Sequence, residues 1–133
     1  MVRQLRRGVA LIVLAGLVVG GRLIDAQAQV TDELAAVREQ VRSLHGQGKY
    51  ADALTLAERY VSLARHRHGE EHTEFFAAIS WLGSIYQAQG RNAEAEAQYQ
   101  RALAISEKVL GPAHPDVGTS LSNLAGLHQA QGR

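Results

Sequence analysis

The 133-residue chain contains no cysteine. This excludes a disulfide framework, a cysteine-based zinc site, a thiol nucleophile and a lipid-modified lipoprotein cysteine. Proline is nearly absent: Pro112 and Pro115 are the only two, and they share one short stretch. Neither sign of charge dominates, with fourteen Lys+Arg against thirteen Asp+Glu. The charges are not gathered into blocks, which argues against an acidic or basic tail. Ser, His and Asp occur, but there is no Gly-x-Ser-x-Gly elbow, phosphate-binding loop or His-Glu-x-x-His pair. Neither catalysis nor a cofactor is therefore expected. The length favours one domain.

There is one long apolar run. Arg3, Arg6 and Arg7 precede an uncharged stretch from Gly8 to Gly21, and Ala26-Gln27-Ala28 follows it. A basic start, an apolar centre and small residues at −3 and −1 form the pattern of a secretory signal peptide spanning residues 1–28, cut after Ala28. The alternative is an uncleaved anchor through residues 8–21. As a helix those residues would reach roughly 21 Å, short of a bilayer core of about 30 Å. The expected location is periplasmic or extracellular. Removing the segment takes away four basic residues and one acid, which leaves ten basic and twelve acidic groups in residues 29–133. With that balance, and with no clustering of Arg and Lys among aromatics, neither nucleic acid nor a membrane is an expected partner after cleavage.

A repeat organises the rest. Gln87-Ala88-Gln89-Gly90-Arg91 returns as residues 129–133, an offset of 42, and Gln47-Gly48-Lys49 echoes it one period earlier. Laid without a gap over residues 92–133, residues 50–91 are identical at twelve of 42 positions, among them Ala53/Ala95, Gly69/Gly111, His72/His114 and Leu82/Leu124. Apolar residues recur at three- and four-residue steps, and Gly or Gly-Pro punctuates them. This predicts helices over about 31–46, 50–67, 73–89, 92–109 and 115–131, with Thr31 or Asp32 as the first N-cap. The predicted fold is all-α: an antiparallel helix-pair solenoid of about two and a half repeats over residues 29–133. Gly83 and Ala125 are expected at helix crossings, met by Ala53 and Ala95 from the second helix of each pair.

Leu82-Gly83-x-x-Tyr86, followed by Ala95, Tyr99 and Ala102, resembles the tetratricopeptide repeat; Leu124 and Ala125 repeat its Leu-Gly position. The 42-residue period and the loop Gly111-Pro112-Ala113-His114-Pro115 look like the kinesin-light-chain subtype. The first unit departs from the pattern, with Val41 at the Gly position, Ala57 at the aromatic and Tyr60 at the last Ala. The resemblance implies a non-catalytic scaffold that binds a protein or extended peptide on a concave face lined by the first helix of each pair. Position by position, that face would hold Arg38, Arg42 and His45, then Ala77, Ser80, Ser84 and Gln87, then Thr119, Ser122, Asn123, Gly126 and Gln129. Trp81 and the pair Phe75-Phe76 read as packing residues, with a peptide anchor as the alternative. Two other functions stay open. The chain could be the N-terminal part of a longer array with further repeats and an effector domain, since the last helix has no partner of its own. It could also be a metal-binding module using His66, His68 and His72, although no pattern there sets a tetrahedral site.

Overall fold

The computed structural model describes the backbone from Val19 to Arg133 and the side chains from Glu33 onward. Residues 1–18, which hold the basic start and most of the apolar run of the expected signal peptide, lie outside the described residues. The described residues form α1 (Val19–Gly46), α2 (Tyr50–His68), α3 (Thr73–Ala88), α4 (Asn92–Leu110) and α5 (Pro115–Ala130). Contacts divide the chain into two units, Met1–Ala35 and Ala36–Arg133. In the first, the described backbone is helical from Val19. The second contains the end of α1 and the four helices after it. None of the described helices is long and apolar enough to cross a membrane.

The first helix corrects the sequence expectation. Its described part runs from Val19, so Thr31 and Asp32 lie inside it rather than at its start. Between Arg22 and Asp32 there is neither Gly nor Pro, and Ala, Gln, Leu and Arg tolerate helix well. The expected cut after Ala28 falls within this helix.

In the second unit each helix packs on the next: α2 on α3, α3 on α4 and α4 on α5. A smaller contact joins α3 to α5. This is the pattern of a helical solenoid, in which stacked pairs bury faces that one pair would leave open. Val41, Ala53, Ala57, Tyr60, Phe75, Ile79, Ile85, Ala95 and Leu127 have no exposed surface.

One turn recurs. After α1, α3 and α5 a glycine adopts positive φ: Gly48 at 74°, Gly90 at 73° and Gly132 at 70°. Around Gly90, the Gly90 N–H donates to the Gln87 carbonyl at 2.9 Å, and the Arg91 N–H donates to the Tyr86 carbonyl at 2.8 Å. These are the two bonds of a Schellman cap, which satisfies the last helical carbonyls and needs a left-handed residue. Gly48 with Lys49, and Gly132 with Arg133, make the same pair of bonds. The other connection is also repeated. His72 caps α3, its ring Nδ1 accepting from the Glu74 N–H at 3.1 Å. His114 caps α5 and accepts from the Asp116 N–H at 3.2 Å. Each ring therefore presents an unprotonated Nδ1 to the helix.

The distance between α3 and α4 depends on Gly83. A Cβ there would lie 2.7 Å from Tyr99 Cε1 and 2.8 Å from Tyr99 Cδ1. The neighbour that Gly83 admits is thus the Tyr99 ring rather than Ala95. One repeat earlier the sizes are exchanged. Val41 stands at the Gly83 position and Ala57 at the Tyr99 position, and both are fully buried. The bulk reappears one helical turn later as Tyr60, where the second unit has Ala102. Residues three apart share a helix face, so Ala57–Tyr60 and Tyr99–Ala102 fill similar space in opposite order. Ala125, the equivalent of Gly83 on α5, is exposed.

Gly83→Ala is expected to destabilise the chain by about 1–3 kcal/mol, because the ring of a buried tyrosine must move to admit the methyl group. Gly118→Ala lies inside α5 with open space around it. It should instead stabilise by up to about 1 kcal/mol, through helix propensity alone. Urea unfolding of the two variants measures both effects.

Candidate interaction groove

A groove of about 390 Å³ lies between α3 and α5. Phe76, Ala77, Ser80, Trp81 and Ser84 line it from α3, and Thr119 and Asn123 line it from α5. One turn of helix separates Ala77, Ser80 or Trp81, and Ser84, so they project on one face. Phe76 is 8 % exposed, whereas its neighbour Phe75 is fully buried. The Phe75 ring is flanked by the guanidinium groups of Arg65 and Arg101, 5.5 and 5.0 Å from its centroid. Glu70 holds both arginines, at 2.8 and 2.9 Å.

The residues expected on a concave face divide in two. Ala77, Ser80, Ser84, Thr119 and Asn123 line the groove. His45 stands behind it: its Nε2 lies 3.0 Å from Ser84 Oγ, and its ring meets Trp81 edge-on at 5.5 Å. The remainder are used elsewhere or point away. Arg38 donates to Glu74 Oε1 at 3.1 Å, and that oxygen also accepts the Tyr60 hydroxyl at 2.6 Å. Burial, and then the hydrogen bond to the carboxylate, raise the Tyr60 phenol above its ordinary pKa. Arg42 is exposed and lies 3.8 Å from Glu39. Gln87 accepts the Tyr99 hydroxyl at 3.0 Å, which ties α3 to α4. The Ser122 hydroxyl donates to the Gly118 carbonyl at 2.8 Å. Gly126 and Gln129 are exposed and do not line the groove.

The polar groups within the groove are mostly committed. Ser80 Oγ donates to the Phe76 carbonyl at 2.9 Å, and Thr119 Oγ1 donates to the Pro115 carbonyl at 3.3 Å. None of the lining residues is charged. A second hollow, of about 220 Å³, adjoins the loop before α3 and differs in character. Its charged residues neutralise one another: Glu70 pairs with Arg101, and Glu71 with Lys108.

The histidines that could have formed a metal site have a different arrangement. His68 and His72 stack with centroids 4.2 Å apart and planes 13° from parallel. The His72 Nδ1 lone pair is taken by α3. Burial, and then the neighbouring His72 ring, lower the His68 pKa. Among the described residues, no group of three or more His, Asp or Glu is placed to hold a metal ion.

The tetratricopeptide repeat model covers residues 74–133. These residues carry a tetratricopeptide repeat. The matched stretch contains both walls of the groove and the Gly83–Tyr99 contact. No curated protein matches the chain. In the repeat, Leu82, Gly83, Ala95, Tyr99 and Ala102 are buried, and Tyr86 and Leu124 pack against the cluster of Ala95, Tyr99 and Leu127. Tetratricopeptide repeats serve widely as protein–protein interaction scaffolds.

Glu96 on α4 joins two helices. It accepts from His128 Nε2 at 3.0 Å and from Arg133 Nη1 at 3.1 Å. Those two hydrogen bonds, His128 first, hold its carboxyl below the usual range. A carboxylate depressed in the folded state contributes stability above its unfolded pKa of about 4.3, and that stability is lost as pH falls through the folded value. Wild type should therefore exceed Glu96→Gln in thermal stability near pH 7, and the difference should shrink as pH falls below about 4.3 and vanish only below the depressed folded value. Melting curves at stepped pH check this, and a constant difference across the range would contradict it.

Proposed function

We propose that the chain is an exported, non-catalytic scaffold that holds a protein or extended peptide segment in the groove between α3 and α5. The observation that carries this reading is the groove itself. It is a preformed, uncharged concavity within the tetratricopeptide repeat, lined by Phe76, Ala77 and Trp81 together with Ser, Thr and Asn side chains. Small, mostly apolar clefts with a few placed polar groups are the usual form of a binding site. The nearby ionisable side chains are consumed in structural pairs, Arg38 with Glu74 and Glu96 with His128 and Arg133. No catalytic constellation accompanies the groove among the described residues.

Two finer features belong to the same proposal. The 42-residue spacing of the Schellman glycines and of the His caps supports the kinesin-light-chain-like subtype. The basic start, apolar run and Ala26-Gln27-Ala28 support export by cleavage after Ala28. A second reading, in which further repeats cover α5, is favoured by the side chain of Leu121, 50 % exposed on that helix.

A photo-cross-linking amino acid at Asn123 should give a discrete adduct with an envelope protein, whereas the same group at Glu58, exposed on α2, should give none. Identical adduct patterns from the two positions would remove the groove from the proposal. N-terminal sequencing of the mature chain should begin at Gln29, and an intact Met1 would replace the cleaved signal with an anchor.

A further inference from the structure

The lining of the same groove decides the kind of segment it accepts; this inference rests on the scaffold reading. The walls are Phe76, Ala77 and Trp81. The hydroxyls have little left to offer a ligand, since Ser80 and Thr119 donate to their own helices and Ser84 is bound to His45. Asn123 is different: its side chain makes no hydrogen bond within the described residues and faces the cavity from α5. A side-chain amide has both donors and an acceptor, which matches a peptide unit and selects no side chain. With no charged residue in the lining, a ligand carboxylate or ammonium entering the groove would lose water and gain no partner. The volume of about 390 Å³ is near the small end of ligand sites. It suits one large side chain with its flanking backbone rather than several.

We infer that the groove takes a single bulky, uncharged apolar side chain from an extended peptide, seated against Phe76 and Trp81, while Asn123 hydrogen-bonds the adjoining backbone. The selectivity follows from desolvation. An apolar side chain gains by leaving water, and a charged one has nothing in the groove to replace its hydration.

An array of random dodecapeptides probed with the full chain tests the inference, with selected peptides then titrated in solution. Trp81 is the only tryptophan in the sequence, so its emission reports occupancy directly. Selected peptides should share one Leu-, Ile-, Met- or Phe-type position free of Asp and Glu neighbours, and should shift the Trp81 emission. Replacing that residue by Ala should weaken binding at least about tenfold, the scale set by burial of a large apolar side chain. Ala77→Glu, or Thr119→Glu from the opposite wall, should abolish binding while helicity by circular dichroism is retained. Asn123→Ala should weaken all selected peptides by a similar several-fold factor. Selected peptides with an acidic centre that still depend on Ala77 and Thr119 would overturn the apolar assignment and leave the scaffold reading standing. Binding that ignores both Glu variants and leaves Trp81 emission unchanged would overturn the inference and move the occupant out of the groove. An array with no peptide above background would overturn both.

Discussion

The contact between Gly83 and Tyr99 sets the geometry on which the groove depends. A helix pair can approach only as closely as the side chains at its crossing allow. With no Cβ at residue 83, the Tyr99 ring lies directly against the α3 backbone. Its hydroxyl then reaches Gln87, one turn further along the same helix. The first unit meets the same requirement by exchanging volumes: Val41 with Ala57, and Tyr60 in place of Ala102. The repeat therefore keeps one tyrosine and one alanine on this face in opposite order, and the order decides whether the facing helix carries Val41 or Gly83, as expected of interiors packed without voids.

Three acidic residues fasten neighbouring elements by gathering two donors each. Glu74 takes Arg38 and Tyr60, Glu70 takes Arg65 and Arg101, and Glu96 takes His128 and Arg133. Isolated exposed ion pairs contribute little. Glu74 stands apart because Tyr60 is fully buried, and without the carboxylate its hydroxyl would lose its partner. These junctions also explain why so few charged groups remain near the groove.

The helices from Tyr50 onward, and the turns between them, are legible in the sequence because their signals are local. Glycine at a fixed offset, Gly-Pro in one loop and apolar steps of three and four suffice to place them. The return of His72 as His114 indicates an ordering role, and capping is the form that role takes. The start of α1 is not legible in the same way, because Thr31-Asp32 resembles a cap although nothing before it breaks a helix. Ala77, Ser80, Ser84, Thr119 and Asn123 line one cavity, and their grouping is legible because face periodicity follows from sequence spacing. Arg38 and Gln87 do not, because their partners Glu74 and Tyr99 lie on other helices and no local pattern announces them. Trp81 and Phe76 read as core for the opposite reason: on an apolar helix, an aromatic wall and an aromatic core residue have the same sequence signature.

The helix order has a kinetic meaning. From α2 onward the larger contacts join consecutive helices, and those that skip one, α3 with α5 and α1 with α3 through Arg38–Glu74 and His45–Ser84, reach only to the next helix but one. Such a chain closes short loops to form its native contacts, and proteins of low contact order fold quickly. It can also fold by extension, each new helix docking on the pair already formed. A stretch emerging gradually from a narrow channel would thus find its template already in place.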